Sequence, residues 1–117
     1  MFPYYAVTDV SIVWLNGGPG CSSLQGALTE NGPLVFSANA TKPAYSRYSW
    51  TKLANVLYID QPVGTGFSSG SAQAIDNAQV TQEFYQWLKA FYTVFPALKS
   101  KNVHLMGESY AGIYVSV

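Results

Sequence analysis

A chain of 117 residues has room for one small domain and no more. Its formal net charge is zero, so no basic excess draws nucleic acid or an anionic membrane, and no apolar run approaches the roughly 18 residues of a membrane span. Apolar residues make up 49% and charged residues only 10%, a core-rich balance with too little polar surface for a comfortable free-standing domain.

The N-terminal Met1-Phe2-Pro3-Tyr4-Tyr5 lacks the basic start and the apolar stretch of a leader, so no signal peptide is expected in this chain. Val10 to Leu15 is a short apolar run rich in β-branched residues that ends in Asn16-Gly17-Gly18-Pro19-Gly20, which predicts a buried strand running into a tight loop. Cys21, the single cysteine, cannot form a disulfide within the chain and leaves the redox compartment open. Residues 22–29 suit a short helix that Asn31-Gly32-Pro33 stops. Residues 37–50 read as surface loop with room for one short strand, and within them Asn39-Ala40-Thr41 is an N-glycosylation sequon, of consequence only in a secreted protein.

Val56-Leu57-Tyr58-Ile59 predicts a second buried strand, followed by Asp60-Gln61-Pro62 and a glycine-rich loop over residues 63–71. The clearest helix follows. Asp76 caps it, with Gln79 three residues on in a capping-box arrangement, and Val80, Phe84, Trp87, Leu88, Phe91 and Phe95 trace one face at helical spacing. That aromatic stripe is expected to pack on a sheet, and Pro96 closes the helix. Residues 102–106 predict a third buried strand. There is no internal repeat and no low-complexity segment.

Apolar strands separated by helices argue for an α/β fold with a mostly parallel sheet, whose chemistry sits beyond the carboxyl ends of the strands. Three glycine-rich loops leave strand ends here, at residues 16–20, 61–70 and 107–112, and are expected to converge. The last is Gly107-Glu108-Ser109-Tyr110-Ala111-Gly112, a serine between small residues at a strand-to-helix turn, which is the signature of a nucleophile elbow. It departs from G-x-S-x-G in having Ala111 before its second glycine, Gly112. An elbow serine needs an oxyanion hole, supplied by the N–H of Tyr110 and by the backbone of Gly17 or Gly18. It also needs a general base. His104, the only histidine, stands five residues before Ser109, about 16 Å away in extended chain, and reads as a core or strand-face residue.

Three blocks together resemble the serine carboxypeptidases. Trp14-Leu15-Asn16-Gly17-Gly18-Pro19-Gly20-Cys21-Ser22-Ser23 is similar to their N-terminal signature and Gly107-Glu108-Ser109-Tyr110-Ala111-Gly112 to their active-serine signature, Ala111 included. Residues 55–68 resemble a third block, the order and spacing of all three fit the family, and within it the chain looks most like secreted fungal members. The resemblance implies a partial α/β-hydrolase fold, residues 1–117 being one incomplete domain. It implies Ser109 as nucleophile, the N–H groups of Gly18 and Tyr110 as oxyanion hole, and a clamp for the substrate's terminal carboxylate made by Asn16, Gly17 and Glu108. Glu30 matches a glutamate that hydrogen-bonds Glu108. Two close carboxyls do not both ionise cheaply, so peptidase work is expected to favour acid.

The family's triad Asp and His lie far downstream of the elbow, as does the cysteine with which Cys21 would pair. The chain is therefore expected to be an N-terminal fragment with truncated boundaries, inactive, poorly folded and prone to aggregate when isolated. The intact parent is expected to be secreted or vacuolar and to take peptides or proteins with a free C-terminus. No cofactor, metal, nucleic acid or membrane is expected as partner. Two other readings are an acyltransferase using the same triad and a non-catalytic fragment that keeps only the clamp; a lipase or general esterase would not need that clamp.

Overall fold

The computed structural model describes residues 8–71 and 74–116; residues 1–5, read above for a leader, lie outside them. β1 (Val10–Leu15), β4 (Asn55–Tyr58) and β5 (Asn102–Gly107) form a parallel sheet in the order β4-β1-β5. Ser11 pairs with Asn55 and Trp14 with Tyr58, while Val10 pairs with Asn102 and Leu15 with Gly107. In that register all three carboxyl ends reach one edge, so the loops that leave them meet there. β2 (Leu34–Val35) and β3 (Ala44–Tyr45) make a small antiparallel pair; β3 is the short strand expected within residues 37–50, and its partner had no pattern of its own.

The two faces of β1 are covered differently, as alternation along a strand requires. Val13 and Leu15 join Val80, Ala111 and Tyr114 in the core beneath α1 (Asn77–Val94) and α2 (Ala111–Ser116). Ile12 and Trp14 are buried on the opposite face, where the Trp14 ring meets Trp50 edge-on at 5.2 Å.

The expectation of three buried strands needs correction. β1 is buried because it has a neighbour on each side, whereas β4 is half-buried and β5, at the sheet edge, is largely exposed, with Leu105 41% accessible. His104 is accordingly an exposed strand residue opposite Ile12, not a core one. The short helix expected over residues 22–29 forms over residues 24–30, with Gly26–Glu30 in π-helical form, where Asn31 N–H bonds the Gly26 carbonyl at 3.0 Å.

α1 begins as its sequence dictates. Asp76 Oδ1 accepts from the Gln79 N–H at 2.8 Å. Gln79 Oε1 reaches back to the Ile75 N–H at 3.2 Å, one residue earlier than an ordinary capping box. Its aromatic stripe meets the core only at its N-terminal end. Val80 is buried and Phe84 packs beside it, but Trp87, Leu88 and Phe91 are half-buried and Phe95 is 50% accessible. The outer rings pack on one another, with centroids 5.2 Å apart for Trp87 and Phe91 and 4.9 Å for Phe91 and Phe95.

Candidate active site

The turn between β5 and α2 holds Ser109 at φ 57°, a left-handed conformation that non-glycine residues avoid and nucleophile elbows adopt. The turn is closed by bonds from Ala111 N–H to Glu108 O (3.0 Å) and from Gly112 N–H to Ser109 O (2.9 Å). The local packing explains the alanine in place of glycine. Ala111 is fully buried, and a Cβ on Gly107 would lie 2.6 Å from the Ala111 methyl. The tight approach therefore needs the glycine at 107, and 111 has room for one methyl. Gly112 has open space around its Cα.

The loop after β1 is pressed against this turn. A Cβ on Gly17 would lie 2.5 Å from Tyr110 N and 2.7 Å from Glu108 O, both backbone atoms that cannot move aside. Gly18 follows at φ 109°, and Cys21 N–H closes the loop on Gly17 O at 3.1 Å. The N–H groups expected to form the oxyanion hole, those of Gly18 and Tyr110, thus belong to two segments in contact, and among the described residues neither has an acceptor.

Asn16 is buried at the same edge, and each of its side-chain atoms is engaged. Oδ1 accepts from the Trp14 indole at 2.9 Å and from the Gly26 N–H at 3.1 Å. An indole N–H only donates, so this contact fixes which end of the amide faces it. Nδ2 is left to donate to Glu30 Oε1 at 3.2 Å and to Glu108 Oε2 at 3.1 Å. Glu30 and Glu108 therefore converge on one amide from positions 78 residues apart in sequence, and both are exposed. Gly26 is what lets the π-helical turn settle on Trp14: a Cβ there would lie 2.3 Å from the indole nitrogen. Nearby, Tyr58 donates to Asn31 Oδ1 at 2.9 Å, and burial together with the Glu30 charge pushes its hydroxyl up to about 12.

Asp60, which sequence reading left unassigned, is the hub between the other two loops. Its Oδ1 accepts from Ser22 Oγ (2.6 Å) and Ser23 N–H (2.8 Å), and its Oδ2 accepts from Phe67 N–H (3.0 Å). Ser23 Oγ donates to Ile59 O at 2.6 Å and accepts from Asn16 N–H at 3.0 Å. The available signal was an aspartate at a strand end followed by Gly64 and Gly66, both left-handed here.

The remaining expected positions are placed simply. Cys21 is exposed and free, beside Gly18. Asn39 is exposed in a turn at φ 64°. His104 sits in the β5 ladder three positions before Gly107 and is not brought to Ser109. No described helix is long and apolar enough to cross a membrane.

Comparison with known proteins agrees with this geometry. The pattern defining the family described as serine carboxypeptidase matches residues 5–117. The sequence is 56% identical over 111 residues to a carboxypeptidase Y homolog of Arthroderma benhamiae, covering 94% of this chain and 22% of that protein. It is 45% identical over 106 residues to the lysosomal protective protein of Mus musculus, covering 89% and 22%. The fold superposes on the crystal structure of Kex1(delta)p, a prohormone-processing carboxypeptidase from Saccharomyces cerevisiae, with a TM-score of 0.83 and 39% identity over 91% of this chain and 24% of that one. This chain thus spans about a fifth of the length of these relatives. Since the family pattern runs through the sheet, both glycine loops and the elbow, the chain belongs to the serine carboxypeptidase family and carries part of its α/β-hydrolase fold.

Proposed function

We propose that the protein carrying this chain is a serine-type carboxypeptidase that releases C-terminal residues from peptides through an acyl-enzyme on Ser109. The observation that carries this reading is the junction of two segments. Gly17 lies against the Ser109 turn while Asn16, one residue earlier, holds Glu30 and Glu108 together. A terminal carboxylate bound at Asn16, Gly17 and Glu108 puts the last peptide bond of a substrate beside Ser109. Ser109 Oγ attacks its carbonyl, and the N–H groups of Gly18 and Tyr110 meet the oxyanion. The carbonyl re-forms as the C–N bond breaks, the terminal residue leaves as a free amine carrying a proton, and water then releases the acyl group.

The base comes from residues outside this chain, because its single histidine is held in the β5 ladder. The isolated 117-residue chain is accordingly expected to hydrolyse nothing. Cys21 pairs with a cysteine of the remaining sequence, and the site uses no metal or cofactor. A secreted or vacuolar protein with Asn39 glycosylated fits the exposure of that sequon.

The test is made on the full-length protein. Ser109→Ala is expected to lower peptide hydrolysis by about 10⁴-fold or more, and amidating the substrate's C-terminus to remove most of the remaining specificity. Hydrolysis that ignores both changes would overturn the reading, and efficient transfer to an added alcohol would make the protein an acyltransferase.

A further inference from the structure

We infer that Asp60 is a positioning residue for the oxyanion donor of Gly18; the inference rests on Ser109 being the nucleophile. The loop carrying Gly18 hangs between two anchors. Its near end is the end of β1. Its far end is Ser22 and Ser23, and the Asp60 carboxylate holds both, through Ser22 Oγ at 2.6 Å and Ser23 N–H at 2.8 Å. Ser23 completes the anchor: it is 1% accessible, donates to the Ile59 carbonyl and accepts from the Asn16 N–H. Between the anchors the chain passes through Gly18 at φ 109° and Gly20 at φ 83°, conformations that no regular structure supports. The Cys21 N–H to Gly17 O bond, 3.1 Å, closes the loop between them, so the direction of the Gly18 N–H depends on that bond and on where the far end is pinned.

The other carboxylate oxygen binds the second loop. Oδ2 accepts from Phe67 N–H at 3.0 Å, and Gly66 approaches so closely that a Cβ there would lie 2.1 Å from it. One side chain thus ties the oxyanion loop and residues 61–70 to the end of β4. An ionised carboxylate is acceptor-only at both oxygens, whereas a protonated one turns an O–H donor toward its neighbours. Burial pushes the Asp60 carboxyl up, but bonds from Ser22 Oγ and the N–H groups of Phe67, Ser23 and Leu24 outweigh it and hold the group below the ordinary carboxylate range. An amide of the same shape would turn an NH₂ toward one of these donors.

The experiment compares wild-type full-length protein with Ser109→Ala, Asp60→Asn and Ser22→Ala. It reads kcat and KM per titrated active site for a peptide with a free C-terminus, and inhibition by an N-acyl amino aldehyde, whose hemiacetal oxygen sits where the oxyanion forms. Asp60→Asn is expected to lower kcat per site about 100-fold with KM changed less than about 3-fold, and to weaken aldehyde inhibition by a similar factor. Ser22→Ala, which removes one of the bonds, is expected to change both quantities in the same sense by about 10-fold. A role in folding alone would lower the yield of titratable sites and leave kcat per site and aldehyde affinity at wild-type values; that result overturns the inference. If Asp60→Asn does not fold, the same two readouts on Ser22→Ala decide it. Full hydrolysis by Ser109→Ala would instead overturn the nucleophile assignment, and the inference with it.

Discussion

Gly17 shows how one residue can decide whether this site assembles. Its missing side chain lets Tyr110 N and Glu108 O come within the distance that a Cβ would occupy. Gly17→Ala is expected to destabilise the full-length protein by about 1–3 kcal/mol and to lower kcat/KM at least about 100-fold, checked by thermal unfolding and steady-state kinetics. A variant of full activity would show that the two segments need not touch. At this scale the sequence singled out Asn16, Gly17, Gly18, Glu30, Glu108, Ser109 and Tyr110, and the structure brings Asn16 against Glu30 and Glu108 and Gly17 against the Tyr110 backbone. Asp60 was not legible, because a strand-end aspartate has many uses and its serine partners lie 37 and 38 residues away in sequence. Trp14 likewise reads as a core aromatic until its indole is seen to orient Asn16.

Among the elements, α1 was the most readable and also the most instructive in its departures. Its start is local chemistry: Asp76 accepts from the third N–H of the helix, as a capping aspartate should. Asp76→Ala is expected to lower stability by about 1 kcal/mol, read as a shift in denaturation midpoint at unchanged slope. The aromatic stripe was correctly periodic, but periodicity says only that one face is apolar. How far the sheet reaches beneath that face is a tertiary matter, and here it ends near Phe84. The same reasoning covers the strands. Apolar content marked residues 102–106 as a strand, yet burial depends on having neighbours on both sides, and β5 has one.

At the scale of the whole molecule, two features govern behaviour in solution. The first is the set of displaced titrations. Tyr58 is raised to about 12, so its neutral form contributes stability that is fully present below the ordinary tyrosine range and lost as pH climbs from there toward about 12. Unfolding midpoints of the full-length protein are therefore expected to fall over that interval, and less steeply in Tyr58→Phe. Asp60 acts in the opposite sense: its folded-state value is depressed, so its contribution holds above the ordinary carboxylate range and disappears as pH drops through the folded value. The second feature is exposed apolar surface, with Leu105 on the edge strand at 41% and Phe95 on the outer aromatic row at 50%. The isolated 117-residue chain is expected to scatter more light as concentration rises, and Leu105→Lys to reduce that association by placing a charge on the open edge. Equal scattering by both would show that the edge is not the sticking surface.

The sequence by itself determined the local grammar of this protein: apolar runs for strands, an aspartate cap and a 3.6-residue period for α1, glycines where the chain must turn tightly, and a serine at a strand-to-helix turn. These follow from neighbouring residues, since backbone sterics, capping and periodicity act over a few positions. Only the tertiary structure decided which strand was central, which apolar face was covered, and that Asp60 would gather Ser22, Ser23 and Phe67. The reason is physical: a donor and an acceptor distant in sequence are matched by the parallel register that brings their strand ends together, and no short stretch of chain contains that information.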